Sequence, residues 1–355
     1  MSGQPNPEKL NALVGKLVGD LGASLTGALI VLGDNLGLYK AMADGEPRTS
    51  ADIAKKTKLK ERNVREWLAA NAAAGLVDYD NAAGTFSLNP EQAMVLGHEG
   101  SPAFFAGAFQ VAQSMYLDEP KVAAAFKSGK GVGWHQHSVC LFKGTERFFR
   151  PGYNANLVSS WIPALEGVEA KLKEGAVVAD VGCGHGASTI LMAQAYPKSR
   201  FFGFDYHAPS IARAKQAAKE AGVDKRITFQ KASAKNFPAK KKYDLVTMFD
   251  CLHDMGDPVG AAKHVKKTLA KGGTFMLVEP FAHDVLADNL NPVGRVFYAA
   301  STMICTPASM NQEVGLALGA QAGETRLREV VSKAGFSHFR RATETPFNLV
   351  LEARV

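Results

Sequence analysis

The stretch VVADVGCGHGASTILMAQAYP, residues 177–197, limits the fold more than any other part of the chain. A short apolar run ends in Asp180. Glycines follow at 182, 184 and 186, and a helical apolar pattern resumes at Ala187. Glycine serves where backbone must take φ values that side chains resist, or must lie against a ligand. Strand, bare turn and helix start together form the opening of a parallel α/β unit. Ligands of open α/β sheets sit beyond the carboxyl ends of the strands, beside helix N-termini.

The following sequence keeps that rhythm. AVVADV, RFFGFD, ITFQKA, YDLVTMFD and GGTFMLVEP read as strands, with helices predicted over 187–195, 210–221 and 258–269. Strands alternating with helices argue for a mostly parallel sheet covered on both faces. The end, RLREVVSKAGFSHFRRATETPFNLVLEARV, reads as a helix and two strands parted at Thr345 and Pro346, a final antiparallel pair. At 355 residues the chain has room for about two domains.

Residues 1–99 have a different pattern. The first 45 carry apolar residues at helical spacing, interrupted by repeated glycine, which predicts a broken helix. TSADIAKKTKL offers Thr49 and Ser50 as N-caps. KERNVREWLAANAAAGL puts Val64, Trp67, Leu68 and Ala72 on one face and ends at Gly75. LVDYD-NAAG-TFSLN alternates on both sides of a turn and predicts a hairpin. Three helices and a hairpin make the winged-helix order. Residues 100–174 are aromatic-rich and read as a helical connection, leaving 175–355 for the α/β domain.

LGASLTGALIVLG, residues 21–33, is short and flanked by Asp20 and Asp34, so no membrane span is expected. MSGQPNPEKL lacks a basic start followed by an apolar core. Cys140, Cys183, Cys251 and Cys305 form no CxxC pair, which points to reduced thiols, a cytoplasmic location and no zinc site. The net charge of +7 is uneven. Residues 1–99 hold 10 Lys and Arg against 12 Asp and Glu; residues 213–242 hold 10 against 2. A solvated face accounts for that basic segment, and an anionic partner is the alternative.

Two cofactors suit the glycine turn. Gly182 to Ala187 spells G-x-G-x-x-A, the dinucleotide fingerprint, and Asp205 stands 25 residues after Asp180, where a ribose-binding carboxylate lies. Asp180 discriminates between them. A carboxylate two residues before the first glycine repels a pyrophosphate, but it suits a ligand with a cationic amino-acid end. S-adenosylmethionine is such a ligand.

VVADVGCGHGAS resembles the D-x-G-x-G-x-G motif of class I S-adenosylmethionine-dependent methyltransferases. GFD, ASAKNFP, YDLVTMFDCLHDMGDP and LAKGGTFMLVEP follow in the family's order, so the likeness covers about 175–355. It implies a Rossmann-like fold with a mostly parallel seven-stranded sheet and an antiparallel C-terminal strand. It implies that Asp180, Gly182, Cys183, Gly184 and Asp250 line the methionine end, Asp205 the ribose and Tyr206 the adenine. Ala232, Ser233 and Ala234 stand where the family often has an acidic residue. That leaves Ser233 and Ala234 for the adenine side. The winged-helix region resembles that of small-molecule O-methyltransferases, where it dimerises, so a homodimer is implied. LFKGTERFFRPGY and FDCLHDMGDP extend the resemblance to a bacterial methyltransferase group over nearly the whole chain.

Methyl transfer needs an aligned nucleophile and, for some acceptors, a base. His253 follows the fourth strand on the ligand side and titrates near neutral pH. Plant-type O-methyltransferases have a similar LHDW stretch whose histidine is the base. Here Met255 replaces the tryptophan, and simple packing at a strand end is the alternative. In GWHQHS an extended backbone points His135 and His137 the same way. They suit a substrate pocket, a surface, or a metal pair lacking a third ligand nearby, and no metal is expected. Tyr153, Glu279 and His283 are further substrate-side candidates, and residues 282–323 form an insertion suited to a lid. The reading is methyl transfer to oxygen, nitrogen or sulfur of a small molecule, releasing S-adenosylhomocysteine. The rivals are a cofactor-sensing DNA-binding regulator, a nicotinamide oxidoreductase, and methylation of RNA or protein.

Overall fold

The computed structural model describes residues 4–239 and 242–355; Met1–Gly3 of the opening stretch and Lys240 and Lys241 of the basic segment lie outside it. The chain divides into two compact units. One comprises residues 1–113 and 143–151, the other 114–142 and 152–355. The stretch 100–174 is therefore not a body of its own: helices Ala106–Ser128 and Val139–Asn156 each contribute to both units.

In the first unit the opening helix runs unbroken over Pro7–Asn35, capped by Asn6, whose side chain accepts from the Lys9 N–H. Its glycines do not interrupt it as the sequence led us to expect. Each costs about 1 kcal/mol relative to alanine, too little to end a long capped helix. By length and composition it could cross a membrane, and only 11% of its apolar window is buried. Helix Ser50–Thr57 starts at Thr49, which forms a capping box with Asp52. Helix Glu61–Ala73 buries Val64, Trp67 and Leu68. Trp67 donates to the Leu29 carbonyl at 2.9 Å, and buried Asn71 accepts from the Tyr39 hydroxyl at 2.6 Å. Strands β1 (Asp78–Asp80) and β2 (Thr85–Ser87) form the expected hairpin. Arg147 lies buried in this unit, paired to Asp34 at 2.5 Å and Glu99 at 2.9 Å.

The second unit is built on seven strands: β3 (Val177–Val181), β4 (Arg200–Asp205), β5 (Ile227–Lys231), β6 (Tyr243–Phe249), β7 (Leu269–Pro280), β8 (His338–Glu344) and β9 (Asn348–Arg354). Their order is β5-β4-β3-β6-β7-β9-β8, and β9 alone runs against the others. This is the predicted Rossmann-like sheet. The central strands are nearly continuous apolar runs because helices cover both faces. Val178, Ala179, Val246, Phe275 and Leu277 are all buried. The order reverses between β3 and β6, the switch point where open α/β sheets place a ligand crevice beyond the carboxyl ends of their strands.

Candidate functional site

The glycine turn leaves β3 and is stitched to the end of β4. The Gly182 and Cys183 N–H groups both donate to the Phe204 carbonyl, at 2.8 and 3.1 Å. Gly182 has φ 77°, and a Cβ there would lie 2.6 Å from the Cys251 sulfur. Gly184 has φ 51°, and a Cβ would meet nothing: bare backbone faces open space. The Gly184 N–H donates to Asp205 at 3.0 Å, and the other Asp205 oxygen accepts from the His207 N–H at 2.8 Å. Two backbone donors thus aim this carboxylate and leave it lone pairs to spare. Asp180 is buried beneath the turn. It accepts from the Ser188, Thr189 and Thr247 hydroxyls at 2.7, 2.6 and 3.0 Å, tying β3 to helix Ala187–Ala195 and to β6.

A second group gathers after β6. Asp250 adopts φ 49°, unusual for a residue with a side chain. Its carboxylate accepts from the Tyr153 hydroxyl and the Asn348 amide, both at 3.0 Å. Burial, then the neighbouring Glu279 charge, pushes Asp250 up to about 8. His253 is buried in the turn Leu252–Asp254. Its Nδ1 bonds Glu279 and its Nε2 lies 3.1 Å from Asp254. Glu279, buried near the end of β7, also accepts the Leu252 N–H at 2.9 Å. Burial favours the neutral imidazole, but Asp254 and Glu279 outweigh it and hold His253 well above the usual histidine range. Ligand atoms of His253, Asp254 and Cys305 lie within 4.8 Å of one another. Both imidazole nitrogens donate to carboxylates and leave no lone pair for an ion, and burial pushes the Cys305 thiol up to about 12.

The segment 131–142 lies across the β4 end. His135 meets the Tyr206 ring edge-on at 6.2 Å, and Phe142 stacks on His207 at 4.5 Å. His137 is buried, its Nδ1 3.1 Å from Asp118. Ser233 sits in the turn after β5, which is joined to β4 by the Ala232 N–H to the Asp205 carbonyl at 3.0 Å; Ala234 packs on the core. The insertion is bonded into the same region. Ser309 donates to the Met255 carbonyl and Gln312 to the Asp254 carbonyl, both at 2.8 Å, while the Val132 N–H reaches the Pro307 carbonyl at 3.0 Å. Cys305 ends a π-helical turn, Ser301–Cys305, a feature frequent at functional sites. His283 is exposed, edge-on to Phe281 at 5.0 Å, and the structure does not bring it to this cluster. Sequence reasoning passed over Asp118, Asp254, Cys305 and Asn348. Only Asp254, beside His253, had a local signal.

The residues present fit a cationic ligand. Asp180, Asp205, Asp250 and Glu279 stand along one crevice, and among the described residues none has an arginine or lysine partner. Asp205 and Asp250 keep partly open faces, yet burial raises both, and Asp180 too. A positive charge in the crevice would relieve all of them. A concavity of about 650 Å³ opens elsewhere, lined by Lys266, Lys271, Arg340 and Arg354. Arg340 and Arg354 there pair with Glu352 and Glu166, and that concavity is distinct from the crevice.

Sheet order, glycine turn and acidic crevice together define a class I methyltransferase domain, whose cofactor is S-adenosylmethionine. Residues 172–335 match the family described as a methyltransferase domain, and residues 24–98 match the Rv2258c-like winged HTH domain. The chain thus carries a methyltransferase domain and a winged HTH domain. It is 30% identical over 131 residues to 27-O-demethylrifamycin SV methyltransferase of Amycolatopsis mediterranei, covering 35% of this chain and 48% of that enzyme. It is 31% identical over 104 residues to a tRNA (guanine-N(7)-)-methyltransferase of Aliivibrio salmonicida, covering 29% of this chain and 43% of the other. The chain thus spans about half the length of these curated relatives, or less. Human N-acetylserotonin methyltransferase, solved with its SAM, has a TM-score of 0.71 at 17% identity over 100% of this chain and 99% of that one. An O-methyltransferase family protein of Burkholderia thailandensis has a TM-score of 0.70 at 17% identity over 96% and 98%. These two likenesses show the fold.

Proposed function

We propose that the second unit transfers a methyl group to oxygen, nitrogen or sulfur of a small molecule. The observation that carries this reading is the set Asp180, Asp205 and Asp250, carboxylates held only by hydroxyl, amide and backbone donors among the described residues, beside open glycine backbone. When bound, S-adenosylmethionine supplies an electrophilic methyl group on a sulfonium. Asp180, Gly182, Cys183, Gly184 and Asp250 serve its methionine end, Asp205 its ribose, and Tyr206, Ser233 and Ala234 its adenine. His135, His137, Tyr153 and Glu279 face the acceptor side, with residues 282–323 as its lid. Of the two parts the sequence left open for His253, base or structural residue at a strand end, its place between two carboxylates favours the second. Held between two carboxylates, it keeps its proton and balances their charge. Titration calorimetry with S-adenosylhomocysteine tests the reading. Micromolar binding weakened at least tenfold by Asp205→Asn, about 1.4 kcal/mol, supports it; folded wild-type protein that binds none overturns it. Phenols, amines and thiols are then the acceptors to assay.

The first unit is proposed to dimerise. Leu13, Leu17, Leu21 and Leu25 of the opening helix are each more than half exposed, and Gly15, Gly19 and Gly22 face open space. A second copy would cover that stripe. Light scattering at micromolar concentration should give twice the 37.9 kDa chain mass, and a monomer would refute the pairing. DNA binding is not favoured. Near the candidate recognition helix, Lys56 pairs with Asp44, Arg62 with Glu66 and Arg65 with Glu61, which reduces the free charge available to phosphates.

A further inference from the structure

We propose that His137, oriented by Asp118, is the residue that takes the proton from the methyl acceptor. This rests on the methyl-transfer reading above. The geometry is that of a carboxylate–histidine dyad. Asp118 is held by three other donors: the Ser138 N–H at 2.8 Å, the Ser138 hydroxyl at 2.7 Å and Lys121 at 2.8 Å. Its remaining reach goes to His137 Nδ1 at 3.1 Å. An ionised carboxylate only accepts, so Nδ1 carries the hydrogen and Nε2 presents a lone pair. That Nε2 is buried and has no hydrogen-bond partner among the described residues; the side chain is 1% exposed. Buried polar atoms are rarely left so, and an unpaired one calls for an explanation. A donor on the acceptor molecule supplies it.

The charge state agrees with the geometry. The charged groups facing His137 are Asp118 and Lys121 from helix Ala106–Ser128 and Asp254 from the turn after β6. Burial outweighs the two acids and lowers His137 below the ordinary histidine value, so the ring is neutral at pH 7. The ligands of Asp118 overcome its own burial and hold it near 2, so it stays ionised. The position agrees too. Segment 130–137 is bonded to Pro307 and Asn311 of the insertion, and Asp254, from the turn after β6, is among the charges that act on the His137 ring. In the step, the acceptor's X–H proton moves to His137 Nε2. The acceptor's electron pair forms the bond to the methyl carbon as the carbon–sulfur bond breaks, its electrons staying on sulfur. The imidazolium then releases the proton to water.

The test uses the full chain labelled with ¹⁵N in histidine, saturated with S-adenosylhomocysteine, and His137→Gln to assign the ring. Expected is a neutral His137 with Nδ1–H and bare Nε2 at pH 7 to 8, while His253 reads as imidazolium. Phenol, benzylamine or benzenethiol should move the Nε2 signal of His137. Asp118→Asn should redistribute the tautomer toward Nε2–H, which a merely structural histidine would not report at the bound probe. A protonated His137, the opposite tautomer, or an Nε2 signal that none of the three probes moves overturns the proposal. Calorimetry on the same samples separates the two readings. His137→Gln should bind S-adenosylhomocysteine within about twofold of wild type; failure of wild type to bind it refutes the methyl-transfer reading instead.

Discussion

His137 and His253 are both buried, and each sets its Nδ1 against a carboxylate, yet the surroundings drive them to opposite charge states. The difference lies in how the carboxylate is already occupied. Asp118 has its charge met by Lys121 and two Ser138 donors before the histidine reaches it, so burial decides and the ring is neutral. Glu279 has one backbone donor, and Asp254 lies on the other ring nitrogen, so two acids decide and the ring is charged. A partner's identity therefore does not set a histidine's protonation. The unspent charge around it does. The same sequence letters, histidine near an acid, yield an orienting pair in one place and a buried ion pair in the other.

The largest effect should come from breaking the charged member. His253→Gln leaves Glu279 and Asp254 without their cation and should cost about 3–5 kcal/mol of unfolding free energy at neutral pH, read by urea denaturation. The pH dependence separates the two histidines. His253 is raised in the folded state, so its contribution is full below its unfolded value of about 6.5 and fades as pH rises through the higher folded value. His137 is lowered, so burying it neutral costs stability as pH falls below about 6.5. The wild-type minus His253→Gln difference should therefore shrink toward alkaline pH. The corresponding difference for His137→Gln should fall toward acid pH. Two parallel profiles would mean that both rings share one charge state.

What the sequence made legible follows the reach of the chain. The glycine-turn side lies within a single βαβ unit: glycine turn, helix and Asp205 are consecutive, and their spacing alone sets them at one strand edge. The sheet, its antiparallel closure and the β1–β2 hairpin follow from periodicities of two and 3.6 residues. The group after β6 is assembled from afar. Cys305 lies in the insertion and Asn348 on the last strand, and only folding brings them near the turn after β6; Asp118, in an ordinary-looking helix, meets His137 the same way. His253 was legible as a site residue because it follows a strand, but its charge depends on Glu279, 26 residues on. The opening helix was misread for the opposite reason. Glycine propensity is a local quantity, and here a capped 29-residue helix overrides it.

Asp250 sharpens the comparison with a smaller effect, because it faces the same charges as His253 but has hydroxyl and amide donors instead of a cation. With its value near 8, it is mostly protonated at pH 7 in the free protein. The fold favours that neutral form, so its contribution to stability is full below about 4 and is lost as pH rises toward 8. A ligand that brings a positive charge favours the ionised form and must expel the proton. Titration with S-adenosylhomocysteine at pH 7, whose ammonium remains positive, should release up to one proton, seen as a binding heat that changes between phosphate and Tris buffers. Affinity should rise from pH 6 to 8. Asp250→Asn keeps a side chain that tolerates φ 49°, and it should bind more weakly with a heat independent of buffer. Equal heats in both buffers for wild type would mean that Asp250 is already ionised. The surroundings of His253 would then hold more positive charge than this comparison allows.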